Sequence, residues 1–351
     1  MNLKISIAMA TYNGEKFISE QIESILNQTL KPDEIVISDD ASTDQTLKIL
    51  LEYQKQYPNL IKVISNKNNA GFVKNFERAL LNVTGDFIAL SDQDDVWVPE
   101  KLQEEYNILE KNPNVGLVFS DLELVDEHLN KIGTSMWKLH KWQLDGYIKG
   151  VDFFENILRS NRVTGCTIMI RKSVIANLIP FYNRINLHDY WLALGASLLS
   201  DVFAIDRQLV LYRQHSSNQT GAGIKIKWIT LTYDQYMINL QKEKDTLYRT
   251  DLFYEFLFEF VKQHSKNEFL ILKVKKIYKF HRARLELYSS QHIFTRITIG
   301  FGLLLRLNFY PEKLSVLKDF TMVFSSKIRA SKLYFCIVSK LKNRSIQGEL
   351  K

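Results

Sequence analysis

GDFIALSDQDDVWVPEKL, Gly85 to Leu102, carries the reading that decides the fold of this chain. Phe87 to Leu90 is an unbroken apolar run, too short for a buried helix, and three carboxylates follow it: Asp92, Asp94 and Asp95. An unbroken run of this length reads as a strand covered on both faces, the kind that occurs in parallel sheets. Pro99 then opens a helical pattern, PEKLQEEYNILEKN, as expected of proline at a first helical position. Working upstream, the same strand-then-helix unit recurs. KISIAMA (Lys4 to Ala10) precedes EKFISEQIESILNQT, whose Phe17, Ile18, Ile22, Ile25 and Leu26 fall at helical spacing. DEIVISDD (Asp33 to Asp40) precedes TDQTLKILLEYQKQY, with Thr43 expected as N-cap; LIKVISN precedes FVKNFERALLNV. Units of this kind imply an α/β fold, a mostly parallel sheet flanked by helices.

In open sheets of that class, ligands bind beyond the carboxyl ends of the strands. The polar residues there are Thr11-Tyr12-Asn13, Asp39-Asp40 and Asp92-Gln93-Asp94-Asp95, all expected on one edge. In an extended chain Asp92 and Asp94 project to the same side. Their oxygens suit Mg2+ or Mn2+, and a divalent ion held by one or two carboxylates commonly completes its shell with phosphates. The alternative is an acidic surface loop before Pro99. At the second tip, Asp39 or Asp40 is placed to accept a hydrogen bond from a uracil or thymine N3–H, or simply to favour a helix N-terminus. Tyr12 is placed to lie against a base and Thr11 to bond it; the alternative is an ordinary Asn-Gly turn.

Downstream, NVGLVFSDLELVD reads as a strand ending in acids, residues 131–150 as an excursion holding Trp137 and Trp142, GCTIMI as a strand, and VFAIDRQLVLYRQH as a strand pair. HDYWLALGASLL reads as a buried helix headed by His188, Asp189 and Trp191; Asp189 is either a general base or a helix cap. After the last strand, Arg213 is a candidate diphosphate clamp and His215 a candidate metal or phosphate ligand, against the commoner structural histidine.

The chain has 351 residues, 46 basic and 39 acidic. Residues 224–351 hold 24 basic and 11 acidic residues, so the excess sits in the C-terminal third while residues 1–223 are mildly acidic. We therefore expect a catalytic domain over 1–223, ending after the Gly-containing SSNQTGAG, and a helical basic region over 224–351. That asymmetry points to an anionic partner surface. Two cysteines, Cys166 and Cys336, exclude a disulfide framework and a CxxC zinc site. No secretory signal is visible in the N-terminal residues, and the apolar stretch Ile297 to Leu305 is too short to span a bilayer. No P-loop, GxGxxG, GxSxG or HExxH pattern is present.

Taken in order, TYNG, EQIESILNQT, IVISDDASTDQT, NNAG and GDFIALSDQDDVWVPEKL resemble the family 2 glycosyltransferases of GT-A fold, nearest to the bacterial rhamnosyltransferases of polysaccharide assembly. TGCTIMIRKS, HDYW and YRQHSSN continue the likeness to about His215. The resemblance implies an inverting transfer from a nucleotide-diphospho-sugar, UDP- or dTDP-linked, to a hydroxyl of a lipid-linked oligosaccharide or other glycan. It implies that Ala10 and Tyr12 flank the base, that Asp40 (or Asp39) reads N3–H, and that Asp92 faces the ribose or the metal's water. Asp94, last acid of the DxD motif, would bind Mn2+ or Mg2+ with help from His215, and Asp95 would support it or meet the sugar. Asp189 would be the base. Lys74 would contact phosphate, and Gly165, His188, Trp191 and Arg213 would border the donor or acceptor sugar. His188-Asp189 stands where the family more usually carries Glu-Asp. The basic region would dock on the cytoplasmic face of the cell membrane or form a homo-oligomer contact. Two other classes remain: a sugar nucleotidyltransferase, which should carry a Gly-rich, Arg-containing loop that TYNGEKF is not, and a nucleic-acid-binding protein, for which no motif is visible.

Overall fold

The computed structural model describes residues 3–158, 160–182, 185, 187–215, 233–290, 298–299 and 302–303. The chain divides into two units, Met1–Lys225 and Ile226–Lys351; the expected boundary at Gly223 lies outside the described residues.

The first unit begins with β1 (Ile5–Thr11), α1 (Ile18–Leu26), β2 (Glu34–Asp39), α2 (Thr46–Gln56), β3 (Ile61–Ser65), α3 (Phe72–Asn82) and β4 (Phe87–Ser91). It continues through β5 (Val96–Trp97), α4 (Lys101–Lys111), β6 (Val115–Val125), β7 (Lys131–Ser135), α5 (Met136–Leu139), β8 (Gly146–Ile148) and α6 (Gly150–Ile157). It closes with β9 (Ile168–Arg171), α7 (Lys172–Ile175), α8 (His188–Leu199) and β10 (Asp201–Arg213). The strands form one sheet in the order β3-β2-β1-β4-β9-β6-β10-β5, with β7 beside β6 and β8 beside β10. Strands β1, β2, β3, β4, β6 and β10 all run one way, so the sheet is mostly parallel as expected. The apolar runs are buried as their composition demands: Ile7, Ala8 and Met9 of β1, Val36 and Ile37 of β2 and Ile88 to Leu90 of β4 are fully enclosed. Each large aliphatic side chain so buried stabilises the fold by roughly 1.5–3 kcal/mol.

Four local expectations differ from what is found. GCTIMI is a strand only in its second half: Gly165–Thr167 form a 3₁₀ turn, and β9 follows, inserted antiparallel between β4 and β6. The strand pair expected over Val202–His215 is one strand, β10, whose register against β6 shifts around Asp206 and Arg207. Those exposed polar residues read as a turn, but a bulge absorbs them without ending the ladder. Helix α2 starts at Thr46, with Asp44 Oδ1 accepting from the Thr46 N–H at 3.0 Å, while the Thr43 N–H donates to Asn13 Oδ1 at 2.8 Å. Pro99 precedes α4 by two residues because its carbonyl accepts the Thr29 N–H at 2.8 Å in a turn.

In the second unit, α9 (Tyr233–His264) and α10 (Glu268–Ser289) pack together through a three-residue link. Asn267 caps α10, its Oδ1 accepting from the Leu270 N–H at 3.2 Å. Leu257, Val261, Leu270, Val274, Ile277 and Phe280 are buried. The opposite face of α10 exposes Phe269, Leu272, Lys275, Lys276 and Lys279. No described helix is long and apolar enough to cross a membrane.

Candidate active site

The chain runs from β1 outward to β2 and β3, then returns to place β4 on the other side of β1. That reversal opens a crevice at the carboxyl ends of β1 and β4, where open α/β sheets take their ligands. A cleft of about 830 Å3 lies there, lined by the turn after β1, the tip after β4, the start of α3, the Thr164-Gly165 turn, the start of α8 and the end of β10. The three strand tips singled out in the sequence thus share one edge.

At one end of the cleft stand Ala10, Thr11, Tyr12 and Asp40. Tyr12 is partly exposed, its ring free to lie against a flat ligand, while Thr11 is buried and its hydroxyl donates to Asp39 Oδ1 at 3.0 Å. Asp40 accepts from Asn66 Nδ2 at 2.7 Å, from the Ala70 N–H at 3.0 Å and from the Gly71 N–H at 2.8 Å. The Ala70 N–H also lies 3.1 Å from the other carboxylate oxygen, so each oxygen of Asp40 already accepts two hydrogen bonds, one of them shared. Gly71 supplies the left-handed φ of 87° that turns these two amides inward.

At the other end, His215 Nε2 lies 2.9 Å from Asp94 Oδ2. Asp92 shares this wall, and its carboxyl is pushed up to about 8 by burial, then by the charges of Asp94 and Asp189. Residues 92–95 leave the strand at Ser91, so the alternation expected of an extended chain does not apply to them. The groups facing the cleft are instead the carboxylates of Asp92 and Asp94 and the imidazole of His215. Two cis ligands about 2.1 Å from an octahedral ion stand about 3 Å apart, and the Asp94–His215 pair has that separation. The oxygen-rich set and the like-charge crowding both fit a hard divalent ion. Asp95 and Cys166 also lie near Asp92, but both are fully enclosed, away from the cleft. Burial, then Asp95 and Asp92, drives the Cys166 thiol well above its ordinary value, so it stays protonated.

Asp189 heads α8 between these two ends, with its Oδ1 accepting the Tyr190 N–H at 2.6 Å. Burial raises its carboxyl to about 6, against hydrogen bonds from Tyr190, Asn161 and Gly165. His188 and Gly165 line the cleft beside it.

Five residues singled out in the sequence do not face the cleft. The Arg213 guanidinium is enclosed: Nε donates to the Asp94 carbonyl at 2.8 Å, Nη1 to the Glu127 carbonyl and Nη2 to Glu20 at 2.5 Å, over the Phe17 ring. It ties the β4 tip in place and has no face toward a diphosphate. Asp95 accepts the Arg213 N–H at 3.2 Å, and burial, then Asp94 and Asp92, raises its carboxyl well above the usual range. Trp191 is buried with its Nε1 donating to the Leu178 carbonyl. Lys74 Nζ pairs with Glu77 at 2.8 Å and donates to the Phe181 carbonyl at 3.1 Å. Asp39 is buried, accepting from Thr11 and from the Ser42 N–H at 3.0 Å.

Several cleft residues carried no signal in the sequence. Gln93 clamps the turn after β1, with Oε1 accepting the Tyr12 N–H at 2.8 Å and Nε2 donating to the Tyr12 carbonyl at 3.0 Å. Asn75 donates to the Thr11 carbonyl at 3.0 Å. Phe17, read as part of the α1 core face, instead packs on His215 with ring centres 4.8 Å apart. Gln93 was in view only as part of the DQD motif and Phe17 only as a core residue.

Residues 6–178 match the family model for Glycosyl transferase family 2. The chain is 35% identical over 231 residues to the dTDP-rhamnosyl transferase RfbG of Shigella flexneri, across 62% of this chain and 75% of that protein. It is 32% identical over 253 residues to an uncharacterized glycosyltransferase of Haemophilus influenzae, across 68% of this chain and 76% of that one. Its fold is similar to that of S. aureus TarS 1–349 in complex with UDP-GlcNAc, with a TM-score of 0.57 and 19% identity over 93% of this chain and 83% of that chain. That likeness speaks for the GT-A fold alone. On the family match and on relatives above 30% identity aligned over three quarters of their length, this chain belongs to glycosyl transferase family 2.

Proposed function

We propose that this chain transfers a sugar from a UDP- or dTDP-linked donor, dTDP-rhamnose foremost, to a hydroxyl of a glycan acceptor in bacterial polysaccharide assembly, by a single inverting displacement. The observation that carries this reading is the convergence of Asp92, Asp94 and His215 with Asp189 on one cleft at the sheet's switch point. Ala10 and Tyr12 flank the base, and Asp40 accepts its N3–H by giving up part of the Ala70 hydrogen bond that its two oxygens share. Asp94 and His215, with Asp92 beside them, hold a divalent ion, Mn2+ or Mg2+. When bound, that ion neutralises the leaving diphosphate as a Lewis acid. Asp189 takes the proton of the acceptor hydroxyl as it attacks; a carboxylate raised toward neutrality is a stronger base than an exposed one. One base suffices for a direct displacement, and no second nucleophilic carboxylate is required. Arg213, Asp95, Asp39 and Lys74 act by holding the strand tips and α3 rather than by touching substrate.

Unit 1 is the catalytic domain in this reading. The exposed basic face of α10 docks on anionic lipid at the cytoplasmic face of the membrane, which brings the cleft to a lipid-linked acceptor; clustered lysines favour that surface. The name of the S. flexneri relative, dTDP-rhamnosyl transferase, is the ground for naming that donor first. The experiment is nucleotide release from a panel of UDP-, dTDP- and GDP-sugars with Mn2+ or Mg2+, with and without EDTA. Metal-dependent release from one donor identifies the sugar. Absence of release together with absence of nucleotide binding by calorimetry would sink the reading.

A further inference from the structure

Gln93 stands between Asp92 and Asp94, and its amide reaches back to the turn after β1. Oε1 accepts the Tyr12 N–H at 2.8 Å and Nε2 donates to the Tyr12 carbonyl at 3.0 Å. This is the reciprocal pairing by which one strand residue holds its neighbour in an antiparallel ladder, made here by a side chain. The two bonded groups flank the Tyr12 α-carbon, so together they fix the direction in which the ring leaves the backbone. The ring itself is partly exposed. The next residue, Asn13, has a left-handed φ of 48°, which costs a non-glycine residue free energy and must be held by its surroundings. The loop after β2 holds it, with Ser42 Oγ accepting the Asn13 N–H at 2.9 Å and the Thr43 N–H donating to Asn13 Oδ1 at 2.8 Å. Gln93 is the counterpart from the β4 side. Gly14 makes room for it: a β-carbon there would lie 2.4 Å from Oε1 and 2.5 Å from Cδ of Gln93. Tyr12, Gly14, Gln93 and Asp94 all line the cleft.

We infer that Gln93 is a positioning residue for base recognition: it holds the Tyr12 ring where the base of the nucleotide stacks, so the segment that carries Asp92 and Asp94 also shapes the base end of the cleft. The inference rests on the proposed transferase reading and adds to it a link between the two ends of the cleft. Gln93 acts through Tyr12 and not by touching the base or the diphosphate. Its removal frees the Tyr12 turn and leaves the carboxylates of Asp92 and Asp94 and the imidazole of His215 in place. A ligand that carries a base therefore depends on Gln93, and one made of the diphosphate alone does not.

Calorimetry on the full chain with Mn2+ tests this, using UDP and dTDP against inorganic pyrophosphate, which offers a diphosphate and no base. Gln93→Ala is expected to lose about five- to tenfold in affinity for whichever of UDP and dTDP the wild type binds more tightly, with pyrophosphate affinity unchanged. Gly14→Ala keeps the Gln93 side chain, but the new methyl displaces its amide. That amide is the far end of a flexible chain, so the fold survives and the same split is expected. In the Gln93→Ala background Gly14→Ala should cost nothing further, because both changes remove one contact. Wild-type nucleotide affinity in either single variant overturns the inference, as do additive losses in the double variant. An equal loss for nucleotide and pyrophosphate also overturns it, since Gln93 would then support the metal site alone. A wild type that binds neither UDP nor dTDP removes the transferase reading itself, a different failure visible before any variant is made.

Discussion

His215 Nε2 and Asp94 Oδ2 stand 2.9 Å apart although 121 residues separate them in the chain. The contact joins the end of β10 to the tip after β4 and leaves both groups on the cleft wall. If the pair holds a divalent ion, Asp94→Ala should lower Mn2+-dependent nucleotide affinity at least about tenfold and remove its sensitivity to EDTA. His215→Ala should cost less, because an imidazole is replaced by water more readily than a charged ligand. Calorimetry of UDP or dTDP with and without Mn2+ reads both. Equal affinity of wild type and Asp94→Ala in Mn2+ would remove Asp94 from the metal site.

Asp189 yields a pH prediction. Its carboxyl titrates at about 6 rather than near 3.8, and a base acts only when deprotonated. Turnover at saturating donor should therefore rise with pH through about 6 and level off above it. Asp189→Asn should keep nucleotide affinity and lower kcat by about 10²- to 10⁴-fold. The same shift weakens the fold. The native state holds the proton to a higher pH than the unfolded chain, so stability falls as pH rises from about 4 to about 6. Asp189→Asn should then be more stable than wild type at pH 7, by at most about 3 kcal/mol and less because solvent reaches this half-buried group. A flat pH–rate profile across pH 5 to 7 would count against Asp189 as the base.

Arg213 is 1% exposed and donates to Asp94, Glu127 and Glu20. Removing a buried, fully bonded cation commonly costs about 3–5 kcal/mol because its partners are left unpaired. Arg213→Met should lower the unfolding free energy measured in urea by an amount in that range. It should also weaken metal-dependent nucleotide binding, because the Asp94 carbonyl loses its anchor while Asp95 keeps the backbone N–H of residue 213. Unchanged stability would mean that the β4 tip is held by other contacts.

What was legible in the sequence was whatever depends on near neighbours in the chain. The strands of Ile5–Thr11, Glu34–Asp39, Ile61–Ser65 and Phe87–Ser91 announce themselves as apolar runs, and their polar tips meet because parallel strands end on one edge. Legibility failed where the deciding partner is distant. Arg213 looked like an anion clamp because nothing near it in sequence consumes its charge; Glu20, which does, lies 193 residues away. Asp95 looked equivalent to Asp92 and Asp94, yet it turns inward to the Arg213 amide. The antiparallel insertion of β9 depends on two strands already being in place on either side of it.

The exposed face of α10 gives the last prediction. Lys275, Lys276 and Lys279 lie on this face within two turns, and Phe269 and Leu272, 65% and 53% exposed, stand on it one turn earlier. Charge of one sign beside exposed apolar side chains suits the boundary between headgroups and acyl chains. Each lysine near an anionic leaflet contributes about 1 kcal/mol. Replacing all three with Glu should therefore lower the partition onto phosphatidylglycerol vesicles by about 3 kcal/mol or more, on the order of 100-fold, without changing nucleotide affinity. Phe269→Ser with Leu272→Ser should weaken binding further and make what remains more sensitive to salt, since only the electrostatic part is screened. Flotation of the wild type with anionic vesicles but not with phosphatidylcholine alone is the expected result. Failure to float with either, alongside a dimer by light scattering that the Lys→Glu variant abolishes, would assign this face to a second copy of the chain.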